Sequence, residues 1–531
     1  MGLIHQTRYS PLERGKGCVN GFHKSNYYIF FFIIGILYFS LLENVSFAGT
    51  SLAVTIDGDT EEWSGLSPTA SDSKGDVSSG KIDFGNLWIA NDNNNLYLLI
   101  EVTRETILQN PLSSAAGNDI RLYLDGDNLS STGYAISGIG ADLIIRFGNK
   151  SATFYPGGVS TSLTPNEVGL LCGPTHSADI FEIQVPYSVR PGFGTPVPII
   201  TASTIKLLFT ESDGSDRIPN SGSISYTLAT QSVPSPDPIP FDRMNSKDIR
   251  ILCHNVANST PVTNPAPFER YLNAFQPDII GFQELSGWTA NQAKSFIASI
   301  LPTGPGEQWS AVKVADCITI SRWQILASAS IDSNLAVFIK LPEERSSHNL
   351  VLFNAHTPSS NDDAGRDYEH DHISATWRDL LNNIGPFTIK SDDAVVMLGD
   401  FNMVGYVRQL RTLRDGDIID NATWGVNFSP GRQKGSLVST PLRHSHTRSK
   451  YTWRRDRSAY IPGKLDYILF SDDVATLKGN FALYTLEIPS EVLNAYGLLA
   501  QDSVDASDHL VIITDLEFER KSTLMEEFLL Y

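Results

Sequence analysis

"VMLGDFN", Val396 to Asn402, is an apolar run that stops on a glycine, a carboxylate and an amide. It reads as the end of a buried strand. Residues two apart on a strand share one face, so Asp400 and Asn402 are delivered to one place.

The neighbouring segments repeat this pattern. Strands are expected at Asp248 to Val256, Asp278 to Leu285, Asn349 to His356, Asp393 to Asn402, Lys464 to Ser471 and His509 to Phe518. Helical runs alternate with them at Pro267 to Phe275, Thr289 to Leu301 and Asp367 to Ile384. The alternation predicts a mixed α/β domain over 246–518. Its strands share a second feature. Asn255 ends "ILCHN", Glu284 ends "IIGFQE" and His356 ends "VLFNAH"; Asp466 opens "LDYILF", and Asp508-His509 precede "LVIITD". Taken singly, each reads as a cap, a turn residue or a satisfied core histidine. A buried carboxylate costs several kcal/mol unless it is paired or metal-bound. Six such strand ends together predict one convergent site.

Residues 49–230 read differently. "NLYLLIEVT", "DIRLYLDGD", "ADLIIRFG", "DIFEIQVP" and "IKLLFTES" are short, apolar or alternating, and bounded by Gly, Asn, Asp and Ser. They predict an antiparallel β-sandwich. Residues 231–245 hold four prolines and read as a stiff linker, and 519–531 as a tail. The fold class expected is therefore multidomain: an all-β sandwich followed by an α/β domain.

The 531 residues exceed one ordinary core, and the net charge of -19 excludes bulk attraction to nucleic acid, though not a local basic site. Basic residues Arg8, Arg14, Lys16 and Lys24 precede the apolar run "YYIFFFIIGILYFSLL", with small residues Ser46 and Ala48 beyond it. Residues 1–48 read as a secretory signal cleaved near Ala48, so a secreted, periplasmic or cell-surface protein is expected, with no membrane span in the mature chain. An uncleaved anchor is the alternative, although the run is short of the ~20 residues a span needs. Cys172, Cys253 and Cys317 remain beyond the signal. Three scattered cysteines are no disulfide framework, and a Cys253–Cys317 bridge stays open.

The motifs of the second half, in order, resemble the endonuclease/exonuclease/phosphatase superfamily, which includes deoxyribonucleases, neutral sphingomyelinases and inositol-phosphate phosphatases. They are Asn255, "QE" at Gln283-Glu284, "NAH" at Asn354 to His356, "GDFN", "LDYI" at Leu465 to Ile468 and "SDH" at Ser507 to His509. The resemblance implies four layers: two mixed β-sheets face to face with flanking helices. It implies a divalent cation, Mg²⁺ or else Mn²⁺ or Ca²⁺, held by Glu284 with Asn255 and Asp508 near it. It assigns Asp400 to the attacking water, Asn402 to that water or a phosphoryl oxygen, and His509, fixed by Asp466, to the phosphoryl group. His356 matches a second histidine that contacts phosphate and helps protonate the leaving group. Some nuclease members carry a ligating Asp where this chain has Ala257.

"PLRHSHTRSKYTWRRDR", Pro441 to Arg457, concentrates basic residues just before Asp466. In so acidic a chain it reads as a phosphate-facing loop, with Arg443, Arg448, Arg454 and Arg455 as substrate contacts. The first half resembles family-nine carbohydrate-binding modules in "TIDGDTEEW", "LWIANDNNNLYLLIEV" and "IRLYLDGDNLSSTGY". That resemblance implies a carbohydrate or cell-surface ligand. Asp57, Asp59, Asp125 and Asp127 suit a structural Ca²⁺, or simply shape Asp-Gly turns. The function expected is an exported metal-dependent phosphodiesterase, with nucleic acid as first substrate. A phosphatase or sphingomyelin-type lipid phosphodiesterase is one alternative, and a non-catalytic extracellular binding protein is the other.

Overall fold

The "VVML" run before Gly399 and Asp400 is apolar at every position because both faces of its strand are covered. In the computed structural model, the strand Ala394–Asp400 turns Val396 and Leu398 inward, against a second sheet. Val395 and Met397 turn outward, under the helices Asp363–Leu381 and Val407–Asp415. The structure describes residues 46–519, apart from 79, 213 and 432–434. The expected signal, but for its last three residues, and the tail beyond 519 lie outside these. Among the described residues no helix is long and apolar enough to cross a membrane.

The second half has two six-stranded sheets. One runs in the order 310–314, 317–321, 279–283, 249–255, 511–518 and 475–483; the other runs 325–331, 334–339, 350–356, 394–400, 466–470 and 438–439. Ile251, Cys253 and Ile512 of the first meet Leu352, Val396 and Ile468 of the second. Helices Ala266–Phe275 and Ala290–Ile300 cover the outer face of the first sheet through Phe268, Leu272 and Ile297. The layer order is therefore helix, sheet, sheet, helix, an α/β fold. Two hairpins went unforeseen, Ser310–Val314 with Cys317–Ser321 and Ile325–Ile331 with Asn334–Ile339. The edge strands of both pairs are half exposed and carry Ser, Lys and Ala, so their apolar signal is weak.

Among the described residues the first half forms two larger sheets, of eight and five strands, and two two-stranded ribbons. Strand Asn95–Thr106 shows why its pattern reads as apolar rather than alternating. Leu96, Leu98 and Ile100 enter the core shared by both sheets, while Tyr97 and Leu99 are covered by Val54 and Trp63. Strand Ser46–Ala48 pairs in parallel with Ser225 to Thr227, so cleavage after Ala48 would remove it.

Two expectations change. Cys172, Cys253 and Cys317 are free buried thiols, so the Cys253–Cys317 bridge does not form. The proline-rich segment, expected as a stiff linker between the halves, is packed against the second half. Ile239 N donates to Ser445 O, Phe241 is buried against Phe275 and Phe481, and the described residues belong to one compact unit. Prolines lack the N–H that pairs a strand, so the segment's carbonyls need outside donors. Arg443 Nη2 reaches Asp237 O at 2.8 Å and Arg448 Nη2 reaches Pro234 O at 3.1 Å.

Candidate active site

Sheet register builds the site. His356 lies opposite Asp400 across parallel strands, and Asp400 opposite Asp466 across antiparallel ones. Three adjacent strands thus end in one row: histidine, aspartate, aspartate. The other sheet delivers Asn255 beside Gln283, with Glu284 next in chain, and His509 just before strand Val511–Phe518. Beneath the row the sheets are tied by a buried amide pair, Gln283 Nε2 donating to Asn354 Oδ1 at 2.7 Å. A satisfied pair of this kind fixes the register of the two layers. This is the role of the Gln in "QE" and the Asn in "NAH".

Gly399 is the residue that brings Asp400 to the row. Its φ is 146°, and a Cβ there would stand 2.0 Å from Ala355 O. Only glycine fits that approach. Glu284 holds φ at 57°, an unfavourable conformation for a long side chain, of a kind that gathers at functional sites.

Asp400 is buried at the centre. Its Oδ1 accepts from Asn402 N at 3.0 Å and its Oδ2 from Asn255 Nδ2 at 3.0 Å. The same Asn255 amide donates to Glu284 Oε1 at 3.0 Å. Two histidines face Asp400 Oδ2, His509 Nε2 at 3.6 Å and His356 Nε2 at 3.9 Å. Each is held from behind by a carboxylate. Asp466 Oδ2 is 2.9 Å from His509 Nδ1, and Asp316 Oδ2 is 2.9 Å from His356 Nδ1. Asp316 was not foreseen. It sits in the turn between two short strands, and a lone Asp in a turn carries no chemical signal of its own.

The carboxylates set the charge of both rings. Burial works against charging His509, but Asp466 and Asp400 outweigh it and push its pKa up to about 10. For His356, burial is again outweighed, by the Asp316 bond and by the Asp400 and Glu284 charges, giving about 9. Burial raises Asp466 above the usual carboxylate range, against the pull of His509. Both histidines are therefore imidazolium near neutral pH, with Nε2–H directed at the same carboxylate.

The structure brings every catalytic and metal residue expected from sequence to this place. Asn402 lines the cleft, and its Nδ2 donates to Thr357 O at 2.8 Å. Asp508 Oδ2 accepts from Trp453 Nε1 at 3.3 Å. The basic loop divides. Arg455 and Arg457 line the cleft, whereas Arg443 and Arg448 hold the proline-rich segment. Arg454 is bound to Asp456 between the rings of Tyr451 and Tyr484. The cleft holds about 660 Å³, and Glu284, His356, Asp400, Asp508 and His509 line it.

The donor set fits a hard divalent cation. Glu284 and Asp508 line the cleft beside Asp400 with oxygen donors, Asn255 bonds Glu284 through its amide, and among the described residues no Lys or Arg pairs with these carboxylates. Asp400, Asp466 and His509 also offer ligand atoms within 4.8 Å of one another, but the His509 ring is already bonded to Asp466. In the first half, Asp125 and Asp127 gather with Asp142. Asp57 lies elsewhere, paired with Lys450, so the four acids expected to share one Ca²⁺ do not meet.

Comparison with known proteins finds one family model, over just under half of the chain. Residues 252–509 match the sequence model of the Endonuclease/Exonuclease/phosphatase family. The match supports a phosphoester hydrolase in this half. No curated protein matches the chain. Among solved structures, the human Nocturnin catalytic domain with bound sulfate anion aligns over 52% of this chain and 97% of that one, at 14% identity and a TM-score of 0.32. An endonuclease/exonuclease/phosphatase family protein from Leptotrichia buccalis C-1013-b aligns over 51% and 100%, at 15% identity and 0.30. TDP2 from C. elegans aligns over 51% and 75%, at 12% identity and 0.32.

Proposed function

We propose that this chain is an exported, divalent-metal-dependent phosphodiesterase that cleaves nucleic acid strands. The observation that carries the reading is the pair of carboxylate-held histidine rings facing one buried aspartate in the wall of a cleft. A cation held by Glu284, with Asn255 and Asp508, would offset charge on the phosphoryl oxygens. Asp400, between the two rings, takes the proton of the attacking water as the new P–O bond forms. His509 Nε2–H and the Asn402 amide hold the phosphoryl oxygens. His356 gives its Nε2 proton to the ester oxygen that leaves. The Asp466 and Asp316 carboxylates accept from the Nδ1–H of each ring, which orients it and favours the charged form whose Nε2 also carries a proton. Arg455 and Arg457 favour a polyanionic substrate over a neutral lipid surface.

The test compares the chain with an Asp400→Ala, His509→Ala double variant on DNA, RNA, sphingomyelin and a phosphomonoester. Each is run with Mg²⁺, Mn²⁺ or Ca²⁺ and with chelator. Cleavage of a polymer, lost in the variant and in chelator, is expected. Turnover of lipid or monoester alone would move the substrate and keep the site. Equal silence from both proteins would leave a binding protein.

A further inference from the structure

The first half reaches the cleft. Ile107, Gln109, Asn110 and Thr175 line the same cavity as His356 and Asp400. It also grips the basic loop that forms the cavity's other side. Asn166, itself buried, points its amide at Ser458 O (2.8 Å), Tyr460 O (2.9 Å) and Arg455 O (3.4 Å). Ile461 N donates to Gln109 Oε1 at 2.8 Å, and the Ile461 side chain is buried in the core of the first half. Lys150 donates to Gln109 O and sets its ammonium 4.8 Å from the centre of the Tyr460 ring. Lys464 N donates to Thr175 Oγ1 at 2.9 Å. A tethered binding module would leave these backbone groups to water.

The charge along the cavity is uneven. Carboxylates gather at the catalytic end. Arg455 and Arg457 stand on the loop gripped by the first half, both exposed. Asp456, between them, is bound to Arg454 instead, and among the described residues neither arginine pairs with a carboxylate. Tyr460, 41% exposed, presents a ring beside them. Cations next to an exposed, fixed aromatic ring are the elements by which single strands are held, through phosphate and through base stacking. The cleft volume falls in the range of ~300–1,000 Å³ typical of ligand sites, room enough for a flexible strand or a strand end.

We propose that the junction of the two halves is a substrate subsite. Arg455, Arg457 and Tyr460, set against Gln109 and Asn110 of the first half, bind the part of a single nucleic acid strand that lies beyond the scissile phosphate. The first half is on this view one wall of the substrate site. The inference rests on the phosphodiesterase reading above.

The test uses the full chain and three variants: Arg455→Ala with Arg457→Ala, Asn110→Asp, and Asn166→Ala. Each is assayed on a single-stranded oligonucleotide and on bis(p-nitrophenyl) phosphate, which has one phosphate and cannot span the junction. For the double variant, the ratio of kcat/KM values, strand over small ester, is expected to fall about tenfold, the loss of two exposed charge contacts. The dependence of log KM on log salt should flatten by about 0.7 per arginine, a change that general unfolding would not produce. Asn110→Asp, which sets a negative charge on the wall, and Asn166→Ala, which loosens the loop, should lower the same ratio. A ratio within twofold of the parent in all three would overturn the subsite while leaving the phosphodiesterase reading intact. Equal losses on both substrates would instead place the arginines at the scissile phosphate and also overturn it. If the parent cleaves neither substrate, the phosphodiesterase reading fails. Anisotropy of a labelled oligonucleotide in chelator then decides the subsite alone: weaker binding by the double variant sustains it, and unchanged binding overturns it.

Discussion

Replacing Asp316 by Asn tests whether the turn aspartate sets the charge of His356. The two side chains meet at 2.9 Å, and the ring keeps a pKa of about 9 against an ordinary 6.5. Burial alone would drive that value below 6.5, so the carboxylates must more than offset it. Asp400 and Glu284 stand at 3.9 Å, beyond hydrogen-bond reach, and Asp316 supplies the one direct bond. A hydrogen bond between charged partners contributes ~1.5–3 kcal/mol. At 1.36 kcal/mol per pH unit, losing it lowers the His356 pKa by about 1–2. Asn keeps the shape and can still accept, so the fold should stand. The first assay is an NMR titration of histidine resonances in chelator, with His356 assigned through His356→Gln. The second is the pH profile of kcat/KM with Mg²⁺ on a small diester. Loss of a protonated His356 should end activity on the alkaline side, and in Asp316→Asn that limb should move toward neutral by the same amount. An unmoved titration would refute the role of Asp316. A moved titration with an unmoved limb would refute the use of His356 as proton donor.

Three other expectations follow from the same geometry. Both raised histidines stabilise the fold through their charged form, fully so below pH ~6.5, and that stability is lost as pH rises through about 9 and 10. Melting temperature in chelator should therefore fall from pH 7 to 10.5, and His509→Asn should flatten the fall; equal slopes would refute the assignment. Gly399→Ala should cost about 2–4 kcal/mol in urea denaturation, because the added Cβ meets Ala355 O at 2.0 Å and φ is 146°. A cost below ~1 kcal/mol would mean the strand end can shift. Chelator should abolish hydrolysis, with recovery on adding Mg²⁺ or Mn²⁺, while far-UV circular dichroism stays constant because the strand ends are built by the sheets. Hydrolysis that survives chelation would remove Glu284, Asn255 and Asp508 as a metal site.

The sequence by itself determined which strands carry chemistry. An apolar run that ends on Asp400, His356 or Glu284 is costly unless the polar group has a use, and that cost is local, so it is visible in the chain order. It also determined the α/β alternation of the second half, because strands covered on both faces are apolar along a continuous run, as Ala394 to Leu398 are before the strand reaches Asp400. Only the tertiary structure decided which charges serve which partner. Arg443, Arg448 and Arg455 look alike in sequence, yet two cap the carbonyls of a proline-rich segment and one faces the cleft. Asp316 sits in a turn like many others until the sheet register sets it 2.9 Å from a histidine 40 positions away. Asn166 becomes a clamp because Arg455, Ser458 and Tyr460, nearly 300 positions on, present their carbonyls to it. A side chain's type is local information. Its partner is set by long-range packing, which places groups of any sequence separation within bonding distance and leaves no periodic mark in the chain.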